Sequence, residues 1–203
     1  LSKTTGRLMM RLANADVLPF EFNQFSKTIH EYAGELKTLI DQMRTNTETE
    51  NKILGENLYQ LARDPTITYV VPGPKDLVPY LNFSNLENAL VQLKNSAEEF
   101  QKSSGAALSL SPDKQKELNQ LLYQIEKSLL QPEGLPRRPW YKHQIYAPGY
   151  YTGYGVKTMP GVREGIEQRN FREAQQNIEI LGKTLTGYAD EINKTLTLLK
   201  AKS

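Results

Sequence analysis

An apolar residue recurs at every third or fourth position from Phe171 nearly to the end of the chain. This spacing places those residues on one side of an α-helix, so we predict a long helix over residues 170–200. At about 1.5 Å per residue, such a helix is roughly 45 Å long. It carries more apolar positions than one bundle seam needs, and we expect the surplus to leave a stripe for a two-fold partner. The positions are Phe171, Ala174, Ile178, Leu181, Leu185, Tyr188, Ala189, Ile192, Leu196 and Leu199.

The same helical spacing appears in earlier parts of the chain. We predict helices over residues 23–43, 84–103 and 111–130, preceded by a short helix over residues 2–16. A more polar segment, residues 45–63, keeps helical spacing and either continues the second helix or forms its own helix after a kink. The predicted apolar faces are Leu8, Met9, Leu12 and Ala15; then Phe25, Ile29, Tyr32, Ala33, Leu36, Leu39, Ile40 and Met43; then Leu86, Leu90, Leu93, Ala97 and Phe100; then Leu118, Leu121, Leu122, Ile125, Leu129 and Leu130.

Polar residues mark where three of these helices are expected to begin. Asn23 is the predicted N-cap of the second helix. Ser84 is followed three residues later by Glu87, which is the pattern of a capping box for the third helix. Ser111 comes directly before Pro112, and proline is favoured at the first position of a helix, so the fourth helix is predicted to start there.

The remaining segments are predicted to be connections. Residues 66–83 hold four prolines and glycines between positions 72 and 79, so we expect an irregular connection with room for one short extended piece. Residues 162–167 are predicted to form a short turn. Strand signals are nearly absent and no repeat of fixed period appears. We therefore predict an all-α fold: a single domain over residues 1–203, built as a helical bundle of about four long helices with a long ordered aromatic loop before the last helix.

Residues 135–161, the aromatic loop, have an unusual composition. They contain the chain's only tryptophan, one of its two histidines and five of its eleven tyrosines. Four prolines and four glycines interrupt the segment, so no long helix runs through it. Loops of this length are usually functional or disordered, and disordered segments are poor in aromatic residues. We therefore expect an ordered loop that is held in place by its rings.

The rings of the aromatic loop divide into two predicted groups. Trp140, Tyr141 and Tyr146 are expected to pack the loop onto the bundle. Arg137 or Arg138 is expected to stack on Trp140. The other tyrosines lie among glycines, where nothing forces a ring inward, and exposed ordered tyrosines on a loop are typical of a contact surface. These expected surface rings are Tyr150, Tyr151 and Tyr154.

Residues that could support catalysis or metal binding are sparse. The two histidines, His30 and His143, are far apart in the sequence, and zinc usually needs three or four ligands, so we expect no metal site. His30 falls outside the apolar face of its helix and is expected on the surface. The chain has no cysteine for a disulfide and no GxSxG nucleophile motif. We predict no catalytic residue and no cofactor in this chain.

The charge and the ends of the sequence bear on partners and on completeness. The net charge is +2, and the lysines and arginines are spread evenly, so we expect no nucleic-acid partner. No apolar run approaches the ~20 residues that span a bilayer. The sequence begins with Leu1 and shows no signal peptide, so we expect it to be a fragment excised from a longer protein.

Two groups of residues carry a resemblance to a known family. In the aromatic loop they are Leu135-Pro136, Arg138-Pro139, Tyr141, His143, Ile145-Tyr146-Ala147-Pro148, Tyr154 and Pro160-Gly161. Near the start they are Leu12-Ala13-Asn14, Val17-Leu18-Pro19-Phe20 and Tyr32-Ala33. With these residues, nearly the whole chain resembles the C-terminal helical domain of the glutamate carboxypeptidase II and transferrin receptor family. Residues 45–80 are longer than the family pattern, and no function is predicted for them.

The resemblance implies a site as well as a fold. In that family the domain mediates homodimerisation and follows a protease-associated domain and a peptidase domain that holds two zinc ions. The loop before the last helix closes over the catalytic cavity, and a Lys-Tyr pair contacts the substrate carboxylate. Counting back from Pro160 places that tyrosine at Tyr154 and the lysine at Gly153. The glycine removes the positive charge that would favour an acidic substrate.

Two functions from different classes follow. The preferred one is the homodimerisation domain of a zinc-dependent peptidase, with a loop that helps close the parent's substrate cavity. Its partners would be a second copy, the upstream peptidase domain and the parent's peptide substrate. The alternative is a protein-binding module of a non-catalytic, receptor-like homologue. Intact zinc ligands upstream of Leu1 would favour the peptidase. In either case the resemblance implies an extracellular, periplasmic or membrane-anchored parent.

Overall fold

The structure is a computed structural model that describes residues 2–64, 66–68 and 70–201. The described residues form a helical bundle with one small two-stranded sheet, which confirms the predicted all-α fold. The α-helices are α1 (Ser2–Ala13), α2 (Phe22–Gly55), α3 (Tyr59–Ala62), α4 (Ser84–Ser103), α5 (Pro112–Gln124), α6 (Pro160–Glu167) and α7 (Phe171–Lys200). Two 3-10 helices are Ser104–Ser109 and Ile125–Leu129, and the strands are β1 (Tyr146–Pro148) and β2 (Val156–Thr158).

Helix α7 lies at the centre of the bundle. It packs along α4, and α5, α6 and the 3-10 helix Ile125–Leu129 also lie against it, while α2 packs against α4. Aromatic rings join α2 to this centre. Phe22 meets Phe100 of α4 edge-on at 4.8 Å between ring centroids, and Phe25 lies 4.7 Å from Tyr188 of α7. Burial among these rings raises the pKa of the Tyr188 hydroxyl.

Helix α2 is one continuous element, which settles the alternative left open by the sequence. It runs for 34 residues, so the polar segment after residue 45 continues the second helix. The predicted N-cap is wrong: Glu21 occupies the N-cap position without a side-chain hydrogen bond to the helix, and Asn23 already lies inside it. The helix starts earlier because Phe22 is only 2% exposed and its ring belongs to the core. Tertiary packing of that ring outweighs the local preference of asparagine for a cap.

The predicted capping box at the start of α4 is also wrong. Phe83 holds the N-cap position, and Ser84 is the first helical residue. The Oδ1 atom of Asn82 accepts the hydrogen bond from the Ser84 N–H at 2.9 Å, so the serine side chain is not needed as a cap. The Glu87 carboxylate pairs instead with Lys37 on α2. At α5 the prediction is confirmed, with Ser111 as N-cap and Pro112 in the first turn.

Helix α1 is shorter than predicted and buries none of its residues. The side chain of Asn119 on α5 holds the chain that follows α1. Its amide donates to the Asp16 carbonyl at 2.8 Å, and its oxygen accepts from the Leu18 N–H at 2.8 Å. Apolar side chains such as Leu8 and Met9 remain exposed on α1. Within the described residues, no helix combines the length and the apolar character that a bilayer crossing requires.

Helix α7 does not present the surplus apolar stripe that the sequence suggested. Nine of its ten predicted seam residues are buried, and Phe171 is partly buried. Ile180, at 39% exposure, is the large apolar side chain that α7 leaves to solvent. The bundle uses the whole seam because several elements surround α7. At Gly182 the approach of α4 is closest, since an added Cβ would lie 3.1 Å from the Asn85 carbonyl carbon.

The connection between α3 and α4 is irregular, as predicted, and it follows the side of α2. Asn51 forms two hydrogen bonds with the backbone of Lys75, one from its amide at 2.7 Å and one to its oxygen at 2.9 Å. Arg44 donates to the carbonyls of Val78 and Pro79 at 3.3 and 3.1 Å. The described residues of this connection form no strand, and the predicted extended piece includes Tyr69, which lies outside the described residues.

Candidate functional site

The aromatic loop contains more regular structure than the sequence predicted. Strands β1 and β2 pair in antiparallel fashion to form a hairpin over residues 146–158, with Tyr146 opposite Thr158 and Pro148 opposite Val156. The predicted turn at residues 162–167 is wrong, because these residues belong to helix α6, which begins at Pro160. The sequence does not predict the hairpin, because each strand has only three residues and β1 ends in a proline.

Helix α6 connects the hairpin to the bundle through a tightly packed start. Met159 is 1% exposed and has a φ of 47°, which is a left-handed conformation that turns the chain from β2 into α6. Gly161 then lies against Asn177 of α7, where an added Cβ would stand 2.3 Å from the Asn177 Oδ1 atom. Only glycine fits at this contact without moving its neighbours. The Pro160-Gly161 pair in the resemblance therefore has a packing role here.

A buried ion pair anchors the aromatic loop beneath the hairpin. Arg138 and Glu164 are 6% and 2% exposed, and the Arg138 Nη2 atom lies 2.6 Å from the Glu164 Oε2 atom. The second carboxylate oxygen of Glu164 accepts a hydrogen bond from the Tyr150 N–H at 2.8 Å. The Arg138 Nη1 atom donates to the Pro148 carbonyl. The ion pair therefore holds the backbone on both sides of Gly149, where the chain leaves β1.

Three further ion pairs tie the aromatic loop and α6 to the helices. Arg137 forms two bonds to the Glu173 carboxylate of α7 at 2.8 and 2.9 Å, and these bonds raise the pKa of Arg137. In each of the other two pairs, at least one side chain is more exposed. These pairs are Lys157 with Glu167 at 2.7 Å and Arg163 with Glu35 at 2.6 Å.

The predicted packing of the rings is wrong in its main contact. Neither arginine stacks on Trp140, which is 73% exposed. The guanidinium groups of Arg137 and Arg138 lie instead over the ring of Tyr150, at 5.4 and 5.7 Å from its centroid. Tyr146 is 46% exposed, and its ring is tilted against that of His143 with 4.4 Å between the centroids. The aromatic loop is therefore held by charged groups, because Arg138 is drawn to the buried carboxylate of Glu164.

The expected surface tyrosines are exposed, and Tyr154 is the most exposed of them. Its side chain is fully exposed at the tip of the hairpin and makes no hydrogen bond within the described part of the chain. Tyr151 is 73% exposed and meets Tyr150 edge-on at 4.8 Å. The tip is closed by the backbone, with the Gly149 N–H bonded to the Gly155 carbonyl at 2.7 Å. The backbone of the tip is thus closed by hydrogen bonds, and the Tyr154 hydroxyl is available to a partner.

Gly153, the position to which the resemblance assigns a lysine, has a left-handed backbone. Its φ is +63°, and its N–H donates to the Gly149 carbonyl at 2.9 Å. Space is open around an added Cβ, so the obstacle to a side chain is conformational. A non-glycine residue in this region costs roughly 1–2 kcal/mol. The glycine therefore supports the tight tip, and a lysine here would strain it.

His143 is half-buried and one of its ring nitrogens lacks a partner. Its Nδ1 atom accepts from the Ile145 N–H at 3.2 Å, and its Nε2 atom has no hydrogen-bond partner among the described residues. The nearest carboxylate oxygen, from Glu126, is 3.9 Å from Nε2. Burial lowers the pKa of His143, and Glu126 opposes this shift. His30 is also partly buried, with Nδ1 2.8 Å from the Ser26 carbonyl, so its predicted surface position is only partly correct.

The lowered pKa of His143 predicts a loss of stability in acid. A histidine whose folded pKa lies below its unfolded value stabilises the fold above the unfolded value near 6.5, and this contribution is lost as the pH falls. We expect the midpoint of urea unfolding to fall between neutral pH and pH ~5. His143→Asn keeps an acceptor for the Ile145 N–H and should flatten this dependence. Equal slopes in the wild type and in His143→Asn would contradict the assignment.

Within the described residues, no three His, Asp or Glu side chains come close enough together to hold a metal ion.

The fold and the aromatic loop agree with one known family. Residues 81–193 match the transferrin receptor-like dimerisation domain. This match covers more than half of the chain, and the chain belongs to that family. The matched region extends from just before α4 into α7 and includes the complete aromatic loop and hairpin. The resemblance seen in the sequence is thereby confirmed.

Several longer proteins are similar to the chain. It is 28% identical over 182 residues to the probable glutamate carboxypeptidase LAMP1 of Arabidopsis thaliana, covering 88% of this chain and 21% of that protein. It is 27% identical over 176 residues to a probable glutamate carboxypeptidase of Arthroderma benhamiae, covering 86% and 20%. It is 23% identical over 197 residues to the aminopeptidase NAALADL1 of Mus musculus, covering 93% and 22%. The chain spans about a fifth of the length of the curated relatives it matches, and it is a dimerisation domain of the glutamate carboxypeptidase-like type.

Proposed function

We propose that this chain is the homodimerisation domain of a zinc-dependent peptidase and that its hairpin helps to close the substrate cavity of that peptidase. Membership of the dimerisation-domain family supports the first part. The relatives named as glutamate carboxypeptidases and as an aminopeptidase favour a peptidase parent over a receptor-like one. A single observation carries the part about the hairpin: Tyr154 is fully exposed at the tip of a firmly anchored hairpin.

The exposure of Tyr154 suits a contact with something outside this chain. Ordered loops on a rigid scaffold commonly carry binding residues. The hairpin is joined to α6 by Arg138, Glu164 and Lys157, and its tip has no apolar contact that would use the Tyr154 ring. In the proposed peptidase, the hydroxyl of Tyr154 donates a hydrogen bond to a carboxylate of the peptide substrate.

The substrate preference follows from the neighbouring position. Gly153 brings no charge to the tip, so the hairpin offers a neutral hydrogen-bond donor without an adjacent cation. A hydrogen bond from a neutral hydroxyl selects a carboxylate less strongly than a bond reinforced by a lysine ammonium group. The proposed peptidase therefore accepts substrates whose terminal side chain is not acidic. The zinc ions are held in the preceding peptidase domain, and this domain alone does not catalyse hydrolysis.

Homodimerisation is tested on this chain directly. We expect sedimentation equilibrium to show a reversible monomer–dimer equilibrium in the micromolar range, since the family is defined by dimerisation. A parent's interface can extend over its other domains, so the affinity of the isolated chain is expected to be lower than that of the full peptidase. A strict monomer at the highest concentration reached would contradict dimerisation by this domain alone.

A further inference from the structure

The Arg138–Glu164 ion pair has more contacts with the hairpin than a simple link between two elements requires. Glu164 projects from α6, and Arg138 lies in the aromatic loop before β1. Arg138 and Glu164 form one bond to each other. Each also forms a second bond to the hairpin backbone, Glu164 at Tyr150 and Arg138 at Pro148. The two backbone contacts lie on either side of Gly149, and Gly149 forms the hydrogen bonds that close the tip. The ion pair therefore fixes the point from which the tip extends.

The charges of this ion pair depend strongly on each other. The Arg138 Nε atom is buried and has no hydrogen-bond partner among the described residues. The Glu164 carboxylate pairs with the Arg138 guanidinium, and both residues are almost fully excluded from solvent. Removing one member of a buried ion pair leaves an uncompensated charge, which is strongly unfavourable. Any change at Glu164 is therefore transmitted to Arg138 and through it to Pro148.

Little else holds the tip of the hairpin. Tyr151 and Tyr154 are exposed, and Tyr150 rests on the guanidinium groups of Arg137 and Arg138. Lys157, which lies farther along the hairpin on β2, pairs with Glu167 of α6. This pair is partly exposed, and exposed ion pairs contribute little to stability. Segments with few buried apolar contacts open locally without unfolding the rest of the molecule. The hairpin is such a segment, apart from its buried ion pair.

We propose that Glu164 and Arg138 are positioning residues, which hold the hairpin in the orientation that presents Tyr154. The part of this inference that concerns substrate rests on the proposed function. Glu164 acts as a double acceptor: one oxygen receives the Arg138 guanidinium and the other receives the Tyr150 N–H. A glutamine has only one acceptor oxygen on its side-chain amide, so it cannot keep both bonds.

The test is hydrogen exchange of this chain with Glu164→Gln. We expect the amides of Gly149, Gly153 and Tyr154 to exchange at least about tenfold faster, while the amides within α4 and α7 keep their protection. Glu167→Gln is the matched control, because it removes the partly exposed pair from the same helix, and it should change these rates less than about twofold. Unchanged hairpin amides, or equal losses in the hairpin and the helices, would overturn the inference.

Two further variants keep the test decisive if Glu164→Gln folds poorly. Arg138→Lys keeps the positive charge but replaces the planar fork with a single nitrogen, so the bonds to Glu164 and Pro148 cannot both keep their geometry. We expect faster exchange in the hairpin with an unchanged unfolding midpoint. Arg138→Met combined with Glu164→Met removes both charges at similar volume and should give the same local effect. If the hairpin amides of both variants exchange as slowly as those of the wild type, the inference is also overturned.

Kinetics in the full-length peptidase separate this inference from the proposed function. If the ion pair acts through Tyr154, Arg138→Lys should raise KM for a peptide substrate several-fold in the wild type and not in a Tyr154→Phe background. Equal effects in both backgrounds would contradict a positioning role. Faster exchange in the hairpin without any kinetic effect would support the anchoring by Arg138 and Glu164, and it would contradict the proposal that the hairpin closes the cavity.

Discussion

Replacing Tyr154 by phenylalanine in the full-length peptidase is expected to lower kcat/KM by about ten- to a hundredfold. The hydroxyl makes no hydrogen bond within the described residues, so the substitution removes only the proposed bond to the substrate. A hydrogen bond to a charged group contributes roughly 1.5–3 kcal/mol, and each ~1.4 kcal/mol corresponds to a factor of ten. Steady-state kinetics on a peptide with a free terminal carboxylate would measure the loss.

Tyr151 supplies the matched control for this experiment. It lies on the same hairpin and is also mostly exposed, but its ring is turned against Tyr150. Tyr151→Phe should leave kcat/KM within about twofold of the wild type, a change of less than ~0.5 kcal/mol. Neither substitution should shift the melting temperature, since both rings keep their size and contacts. If Tyr154→Phe matches the wild type on every substrate tested, the proposed contact with substrate is wrong.

The long helices could be predicted because their burial repeats with the helical period. In α7 nine of the ten predicted seam residues are buried, and the asparagine at position 170 caps the helix by accepting from the Glu173 N–H at 3.3 Å. The first half of α2 follows the same periodicity, whereas its polar continuation buries only Thr47 and still remains part of one helix. Where one face of an element is buried along its whole length, the sequence pattern alone is sufficient.

The ends of the helices were less predictable because tertiary contacts decide them. Phe22 begins α2 because its ring is needed in the core, and the nearby asparagine has no influence on this. Glu87 does not act as a capping-box residue, because its carboxylate pairs with Lys37 of another helix. Both outcomes depend on residues that are distant in the sequence. Local rules for caps describe what a residue can do when no stronger partner is present.

The candidate site was predictable in its exposed part and not in its support. The glycines around Tyr154 indicated that no ring there is forced inward, and the structure places that tyrosine in solvent. Glu164 was missed, although one signal was available: it shares a helical face with Gly161 and Gly165, which both lie against α7. The sequence instead predicts that Arg137 or Arg138 stacks on Trp140, because the contact of Arg138 with Glu164, 26 residues away, leaves no trace in local spacing.

Truncating Leu185 to alanine is expected to produce the largest loss of stability predicted for a single substitution in this chain. Leu185 is fully buried on α7, at the centre of the bundle, where removal of its side chain leaves a cavity that the surrounding helices cannot fill. Leucine-to-alanine changes at such positions cost about 2–5 kcal/mol. Chemical denaturation with urea would measure the change, with the slope unchanged if the native fold persists.

Ile180 is the control for the Leu185 experiment, because it lies on the same helix and faces solvent. Ile180→Ala should change the free energy of unfolding by less than about 0.5 kcal/mol, as is usual for exposed positions. The contrast tests whether the apolar seam of α7 is used by the bundle itself rather than by a second copy. If α7 instead contributed its seam to the dimer, Leu185→Ala would weaken self-association in sedimentation experiments and leave the stability of the monomer nearly intact. We expect the opposite: a large loss in monomer stability, and a dissociation constant that changes only as far as the folded fraction does.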